Sequence, residues 1–290
     1  MASANQDAYY VPHGTKWPIT GSIGLTLLLG GFASMLNNSD SGTTFMVLGL
    51  LVLIYMMFGW FGEVIDESES GTYNEQVDVS FRYGMMWFIL SEVMFFAAFF
   101  GALYYARIYS VPWVGGEATG AVTNAVLWPD YEAAWPTNGP LNVGGTFQSM
   151  GAWGLPALNT IILLTSGVTC TIAHHGILKN HRGQLIWGLV ATVALGALFM
   201  YFQAVEYAHA FNDLNLTLNS GIYGSTFFML TGFHGFHVMM GGFMLAVMLA
   251  RSVFAGHFED HDHFGFEAAS WYWHFVDVVW VMLFLFVYIL

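Results

Sequence analysis

The sequence predicts an all-α polytopic membrane protein with seven transmembrane helices, and three observations support this fold class. Hydrophobic residues make up 56% of the 290 residues and charged residues only 9%, whereas soluble domains usually carry about a quarter charged residues. Seven apolar runs are separated by polar turns, and each is long enough to cross the ~30 Å hydrocarbon core of a bilayer. Aromatic residues reach 18%, as expected when Trp and Tyr side chains line two membrane interfaces.

Composition also excludes several function classes. The net charge of −13 reflects only six Lys and Arg residues, which argues against nucleic-acid binding. Cys170 is the only cysteine, so an intrachain disulfide, a Cys-rich zinc site and a C-x-x-C-H haem attachment are excluded. The segment 1–14 is polar and lacks a basic stretch, so we do not expect a cleavable signal peptide.

The apolar runs define one membrane domain over residues 1–290. In chain order they lie at about 17–36, 44–61, 81–107, 155–173, 185–207, 222–250 and 266–290. We expect an N-terminal two-helix unit at 1–62 and a five-helix bundle at 81–290, with a periplasmic loop at 108–154. Residues 111–154 show neither helical nor strand periodicity and are rich in Gly, which predicts an ordered surface loop and not a further domain.

The distribution of basic residues predicts the orientation. With the N-terminus in the cytoplasm and the C-terminus in the periplasm, the predicted outside segments contain only Arg107. The predicted cytoplasmic segments contain Lys16, Arg82, Lys179, Arg182 and Arg251. This asymmetry satisfies the positive-inside rule, and the opposite orientation would violate it.

Glu92 is an ionisable residue inside the third apolar run. It follows Met85, where the run enters from the cytoplasmic side, by seven residues, which places it ~10 Å into the bilayer. Such an acid usually faces protein or a water-filled cavity and is a candidate for function, here related to protons. Its helical face otherwise carries apolar residues, so a partner must come from another helix, a lipid or water. A purely structural, hydrogen-bonded Glu is the alternative.

Histidines and acids mark the sixth and seventh runs. His234 and His237 share one helix face at i and i+3, and we interpret them as interhelical, structural residues because further metal ligands are lacking. The seventh run carries Glu267, His274 and Asp277 in its first half. Since the two helices should be antiparallel neighbours, we expect these five residues to form a buried polar network. Haem ligation by one of these histidines is the alternative.

The loop 257–263, HFEDHDH, is rich in His and acidic residues. A solvated turn is the first interpretation. A surface that collects protons is the second, because His exchanges protons near neutral pH. Its composition also resembles a metal-binding tract.

Three motifs resemble cytochrome c oxidase subunit III. Residues 87–96, WFILSEVMFF, resemble the third helix of that family. Residues 223–228, YGSTFF, with 232–237, GFHGFH, resemble its sixth helix. Residues 264–280, FGFEAASWYWHFVDVVW, are similar to its final helix. The resemblance covers the whole chain except roughly 111–154.

The resemblance implies an auxiliary, non-redox subunit of a proton-pumping cytochrome c oxidase, an oxidoreductase and translocase of the respiratory chain. The implied partners are subunits I and II, which carry the haem and copper and receive electrons from cytochrome c. The family subunit supports proton uptake and protects the catalytic subunit during turnover. Its first two helices are splayed from the other five and hold phospholipid, with contacts that would fall on Trp60, Glu67, Phe88 and Arg251. The family's membrane-embedded acid corresponds to Glu92.

Two other functions stay open on sequence alone. The equivalent subunit of a haem–copper quinol oxidase usually lacks the first two helices, which this chain has. A stand-alone proton or ion transporter would purify without haem-bearing partners.

We expect a bacterial inner membrane location, because the loop after Arg107 is longer than in mitochondrial relatives.

Overall fold

The computed structural model describes residue 10 and residues 14–258 and 263–290, and the regular structure in this part of the chain is helical. The chain forms two compact units, Met1–Tyr83 and Gly84–Leu290. The expected all-α class is confirmed.

Seven helices in the described part of the chain are long and apolar enough to cross a membrane. They are α1 (Trp17–Leu36), α2 (Gly42–Glu69), α3 (Glu75–Tyr105), α4 (Leu155–Leu178), α5 (Arg182–Asn212), α6 (Gly221–Ala250) and α7 (Phe264–Leu283). Three of them continue into π-helical turns, which lie at Ala106–Ser110, Arg251–Ala255 and Phe284–Ile289. The seven predicted spans are therefore confirmed.

Several helices extend beyond the apolar runs that predicted them. The acidic stretch after the second run is helical as far as Glu69, and α3 begins at Glu75, before the third run. Glu75 and Asp78 lie in the first turn of α3, where carboxylates interact favourably with the helix dipole. Asp78 also pairs with Arg82 at 2.8 Å. An apolar run marks the stretch that crosses hydrocarbon, and polar residues continue the helix beyond it.

The turn that joins α4 to α5 is short. His174 and His175 belong to α4, which ends at Leu178. The turn itself contains Asn180 in the left-handed region, with φ at 54°, a conformation that Asn tolerates better than most residues.

The first unit contains the hairpin of α1 and α2, which pack with their backbones unusually close. A Cβ on Gly49 would lie 2.3 Å from the backbone nitrogen of Leu28, and one on Gly31 would lie 2.4 Å from that of Met46. Glycine is therefore required at these crossings, as is common where membrane helices associate through van der Waals packing.

The second unit is built around α7. Trp273 and Trp280 of this helix are fully buried. Their indole N–H groups donate to α4, Trp273 to Ser166 Oγ at 3.0 Å and Trp280 to Thr160 Oγ1 at 2.9 Å. The ring of Trp280 also packs edge-on against Phe199 of α5, with centroids 4.8 Å apart. Small polar residues of the fourth run thus form hydrogen bonds across helices, as is common in membrane proteins.

The segment 111–154, which we predicted to be an ordered surface loop, contains short helical elements. It contains the short helices Val111–Val114 and Ala121–Leu127 and the 3-10 turn Ala118–Gly120. Helices this short complete too few turns to show a period in the sequence. The segment is attached to the end of α5 through Gln148 N, which donates to Leu214 O at 2.9 Å.

Candidate functional site

Glu92 of α3 contacts a histidine of α6. Its Oε2 lies 3.0 Å from Nε2 of His237. The Glu92 side chain is 22% exposed and the His237 side chain 7%. Of the three sources of a partner that the sequence left open, the structure therefore supplies another helix.

The hydrogen bond at Nδ1 of His237 determines what its other ring nitrogen, Nε2, can offer to Glu92. Nδ1 lies 2.6 Å from the carbonyl oxygen of Phe233. A carbonyl only accepts, so Nδ1 carries a hydrogen and donates it. The Nε2 to Oε2 contact then needs one more proton, either on Glu92 as a neutral acid or on His237 as an imidazolium. A hydrogen bond between Glu92 and His237 therefore requires one proton between the two groups.

Aromatic side chains surround this pair. The ring of His237 lies 5.8 Å from that of Phe95 and 5.0 Å from that of Phe96, between centroids. Tyr272 of α7 stacks on His237 at 6.2 Å and on Phe88 at the same distance. Such apolar surroundings lower the local dielectric constant and strengthen a hydrogen bond.

His234 of α6 contacts α7. It is fully buried, and its Nε2–H donates to the carbonyl of Val276 in α7 at 3.1 Å. Its ring packs against Trp280 at 5.0 Å. This arrangement agrees with an interhelical histidine.

The described contacts divide the expected polar network into separate pairs. His274 Nδ1 lies 3.5 Å from Asp277 Oδ2 within α7, His234 bonds to α7 backbone, and His237 turns to Glu92 of α3. Glu267 lies in the first turn of α7. The physical reason is angular: i and i+3 on a helix differ by about 60°, enough for neighbouring histidines of α6 to face different helices.

A second acid inside the helices was not recognised from the sequence. Glu206 of α5 is 0% exposed, and its Oε1 accepts a hydrogen bond of 2.5 Å from the hydroxyl of Tyr288. Its Oε2 and both amide atoms of Gln203 have no hydrogen-bond partner among the described residues. Glu206 lies near the end of the apolar run 185–207, but α5 continues to Asn212. The sequence signal for this buried acid was the pair Gln203 and Glu206, two polar residues at i and i+3 on one face of an apolar helix.

Two of the residues expected to contact lipid lie in the first unit. Trp60 of α2 is exposed and stacks on Phe61. Glu67 accepts a hydrogen bond of 2.6 Å from the hydroxyl of Tyr73. Burial and then this bond raise the pKa of Tyr73 above its usual value. The Glu67 carboxylate is therefore oriented by Tyr73, a residue of the same unit.

The other two lie in the second unit. Phe88 of α3 is exposed on its outer side. Arg251 follows α6, where its Nε donates to His257 Nδ1 at 3.2 Å and its guanidinium lies 4.5 Å from the ring centroid of Phe258. These contacts orient the arginine.

The His-rich loop is described only at its ends. His257 is bound to Arg251, and the ring of His263 lies 5.5 Å from that of His174. The interpretations of Glu259 and the three residues after it lie outside the described residues. Within residues 14–258 and 263–290, no group of three or more His, Cys, Asp or Glu side chains is arranged to hold a metal ion.

Comparisons with known proteins agree over nearly the full length. The family model described as cytochrome c oxidase subunit III matches residues 7–290. Cytochrome c oxidase subunit 3 of Marchantia polymorpha is 40% identical over 290 residues, covering 99% of this chain and 98% of that protein. The Gadus morhua protein of the same name is 40% identical, covering 97% and 96%. That of Triticum aestivum is 39% identical, covering 99% and 98%.

Proposed function

Because this chain belongs to the cytochrome c oxidase subunit III family, we propose that it supports proton supply to the oxidase and prolongs its working lifetime. The family is an auxiliary subunit of haem–copper oxidases, so the chain is part of an oxidoreductase complex and its partners include other oxidase subunits.

The observation that carries the proposal is the contact between Glu92 Oε2 and His237 Nε2, a hydrogen bond that needs one proton between the two groups. Both groups can hold this proton, and the 3.0 Å contact allows it to pass between them. The Glu92 side chain is partly exposed, so the pair can exchange its proton with a neighbouring subunit or water. A carboxylate and an imidazole in contact are well suited to storing a proton near a pathway.

The orientation of the helices determines which side Glu92 serves. We place the N-terminus in the cytoplasm, supported by the basic asymmetry of the polar segments. Glu92 then lies nearer the cytoplasmic face, from which protons are taken up. Cysteine labelling should find Glu75 and Thr137 on opposite sides, with Glu75 inside. Labelling of both from one side would contradict this orientation.

The redox centres belong to the partners in this proposal. Subunits I and II would carry the haem and copper and accept electrons from cytochrome c. The bacterial inner membrane stays a prediction, since the relatives reported above are eukaryotic. Purification in mild detergent, followed by a visible spectrum and a subunit gel, should show haem bands that copurify with the chain. Their absence would contradict the proposal.

We extend the proposal to phospholipid binding. Arg251 is oriented by His257 and Phe258 at the end of α6, and a guanidinium binds phosphate oxygens by two hydrogen bonds. Trp60 and Phe88 present exposed aromatic faces that suit acyl chains. We expect Arg251→Ala to reduce the phospholipid that copurifies with the oxidase. Unchanged lipid by mass spectrometry would refute this role.

The decisive experiment replaces Glu92 by Gln. The Gln amide can still donate to Nε2 of His237, so the fold and haem content should stay near wild type while the exchangeable proton is lost. We expect the number of turnovers before inactivation, or the protons pumped per electron, to fall at least about twofold. Glu206→Gln is the matched control, because that acid is buried elsewhere in the same unit. If the Glu92→Gln oxidase shows wild-type turnover number and proton pumping, Glu92 has only a structural role.

A further inference from the structure

A groove between α5 and α6 is lined by a buried amide whose hydrogen bonds the described residues do not make. Gln203 of α5 is 4% exposed, and neither its Nε2 nor its Oε1 has a hydrogen-bond partner among the described residues. The residue lines a cavity of about 290 Å³. Because unpaired polar groups are unfavourable away from water, a ligand that both donates and accepts a hydrogen bond would be stabilised there.

The nearest hydroxyl groups cannot supply a hydrogen to the amide oxygen. Thr231 donates its hydroxyl hydrogen to the carbonyl oxygen of Phe227 at 2.8 Å. The 2.8 Å contact between the Tyr207 and Thr231 hydroxyls must then use the hydrogen of Tyr207. Both hydroxyl hydrogens are engaged, so Oε1 of Gln203 needs a donor from outside the chain.

The rest of the groove is apolar and runs toward the bilayer centre. Gln203 lies four residues before the end of the apolar run 185–207, ~6 Å inside it. Along α6 the lining extends from Thr231 to Met239, ~12 Å. A Cβ on Gly235 would meet only Met200 Cε, at 4.0 Å, so the floor of the groove has room. Its apolar lining is formed by Met200, Ala204, Gly232, Gly235, Phe236 and Met239.

We propose that this α5–α6 groove binds a fatty acid in its neutral, protonated form. The carboxyl O–H donates to Oε1 of Gln203 and the carboxyl C=O accepts from Nε2, so one group satisfies both amide atoms. The alkyl chain follows the two glycines toward Phe236 and Met239, away from the membrane surface. The inference goes beyond the proposed function and does not depend on the proton role of Glu92.

A phospholipid fits this groove less well. Its ester carbonyls only accept hydrogen bonds, which leaves Oε1 of Gln203 without a donor. The described lining carries no Lys or Arg side chain that would pair with a phosphate. The phospholipid contacts proposed above fall on other residues, such as Trp60 and Arg251. The groove is therefore selective for a neutral head group with its own hydrogen.

Photolabelling of the assembled oxidase tests the proposal. The oxidase in phospholipid nanodiscs is irradiated with palmitic acid that carries a diazirine in its chain, and labelled peptides are identified by mass spectrometry. We expect label on the α5 and α6 segments that contain Met200 and Met239. Unlabelled palmitic acid should compete at least about tenfold better than methyl palmitate, which has no hydrogen to donate. Absence of label there, or equal competition, overturns the proposal.

Two variants separate the amide from the shape of the groove. Gln203→Leu removes both hydrogen-bonding atoms at similar size, and Gly235→Leu fills the floor while the amide stays. We expect each to lower groove labelling at least about tenfold in oxidase of wild-type haem content and subunit composition. Gln184→Leu is the matched control on α5, because the Gln184 amide bonds to Ile172 O at 2.9 Å, and its labelling should stay at wild type.

The competition result in the wild-type oxidase decides the proposal even if a variant fails to assemble. Wild-type labelling in an assembled Gln203→Leu oxidase would show that the amide does not recognise the carboxyl group, and the proposal would be wrong. Failure of the Glu92 experiments leaves this inference untouched, since Gln203 and Glu92 lie on different helices and have no shared partner among the described contacts.

Discussion

Glu92 and Glu206 are two acids of the same unit, inside helices of membrane length, and their surroundings differ. Glu92 is partly exposed and contacts an imidazole, which can accept or hold a proton. Glu206 is fully buried and contacts the hydroxyl of Tyr288, which donates its hydrogen and offers no second site for a proton near neutral pH. A carboxyl group inside a membrane helix is therefore not sufficient for proton exchange. Its hydrogen-bond partner must also be able to hold a proton, and its side chain must be accessible.

The largest expected difference is in chemical reactivity. A hydrophobic carbodiimide enters from the lipid phase and reacts with protonated carboxyl groups. Glu92 is partly exposed and, in our proposal, shares a proton with His237, so it should be modified, whereas Glu206 requires local opening of the helices. We expect labelling of Glu92 to exceed that of Glu206 at least about tenfold, as measured by peptide mass spectrometry. Equal labelling would remove the distinction between the two sites.

The second largest effect is expected on the stability that the Glu206–Tyr288 hydrogen bond provides. Tyr288→Phe removes the donor to Glu206 and leaves a buried carboxyl oxygen without a partner. We expect a loss of about 1–3 kcal/mol in unfolding free energy, measured by denaturation of the purified complex in detergent. Tyr201→Phe is the control, because Tyr201 is exposed. If both variants unfold like wild type, the Glu206–Tyr288 bond contributes nothing to the fold.

The smallest effect is expected for Glu206→Gln. The Tyr288 hydroxyl can still donate to the amide oxygen, so the unfolding free energy should change by less than about 1 kcal/mol. Proton pumping and turnover number should match wild type. A pumping defect in this variant would show that a fully buried acid can also take part in proton transfer. The distinction between Glu92 and Glu206 would then be wrong.

The elements that could be predicted from sequence depend on local patterns. The seven spans follow from apolar runs, and the cross-helix bonds of Thr160 and Ser166 follow from small polar residues within such a run. The short helices at Val111–Val114 and Ala121–Leu127 were missed because they are too brief to show a period. The helical extension of α5 was missed because polar residues continue a helix without extending its apolar run, and this hid Glu206.

The sequence by itself determined the class of fold, the number of spans and the presence of Glu92 at membrane depth, because hydrophobic length and the cost of a charge in lipid are properties of single segments. Only the tertiary structure decided that Glu92 meets His237 while Glu206 meets Tyr288. These pairs join residues far apart in the chain, and the face that each helix turns to its neighbours depends on packing around α7. Periodicity within one helix shows which residues share a face, but the partner across the interface is supplied by the assembled bundle.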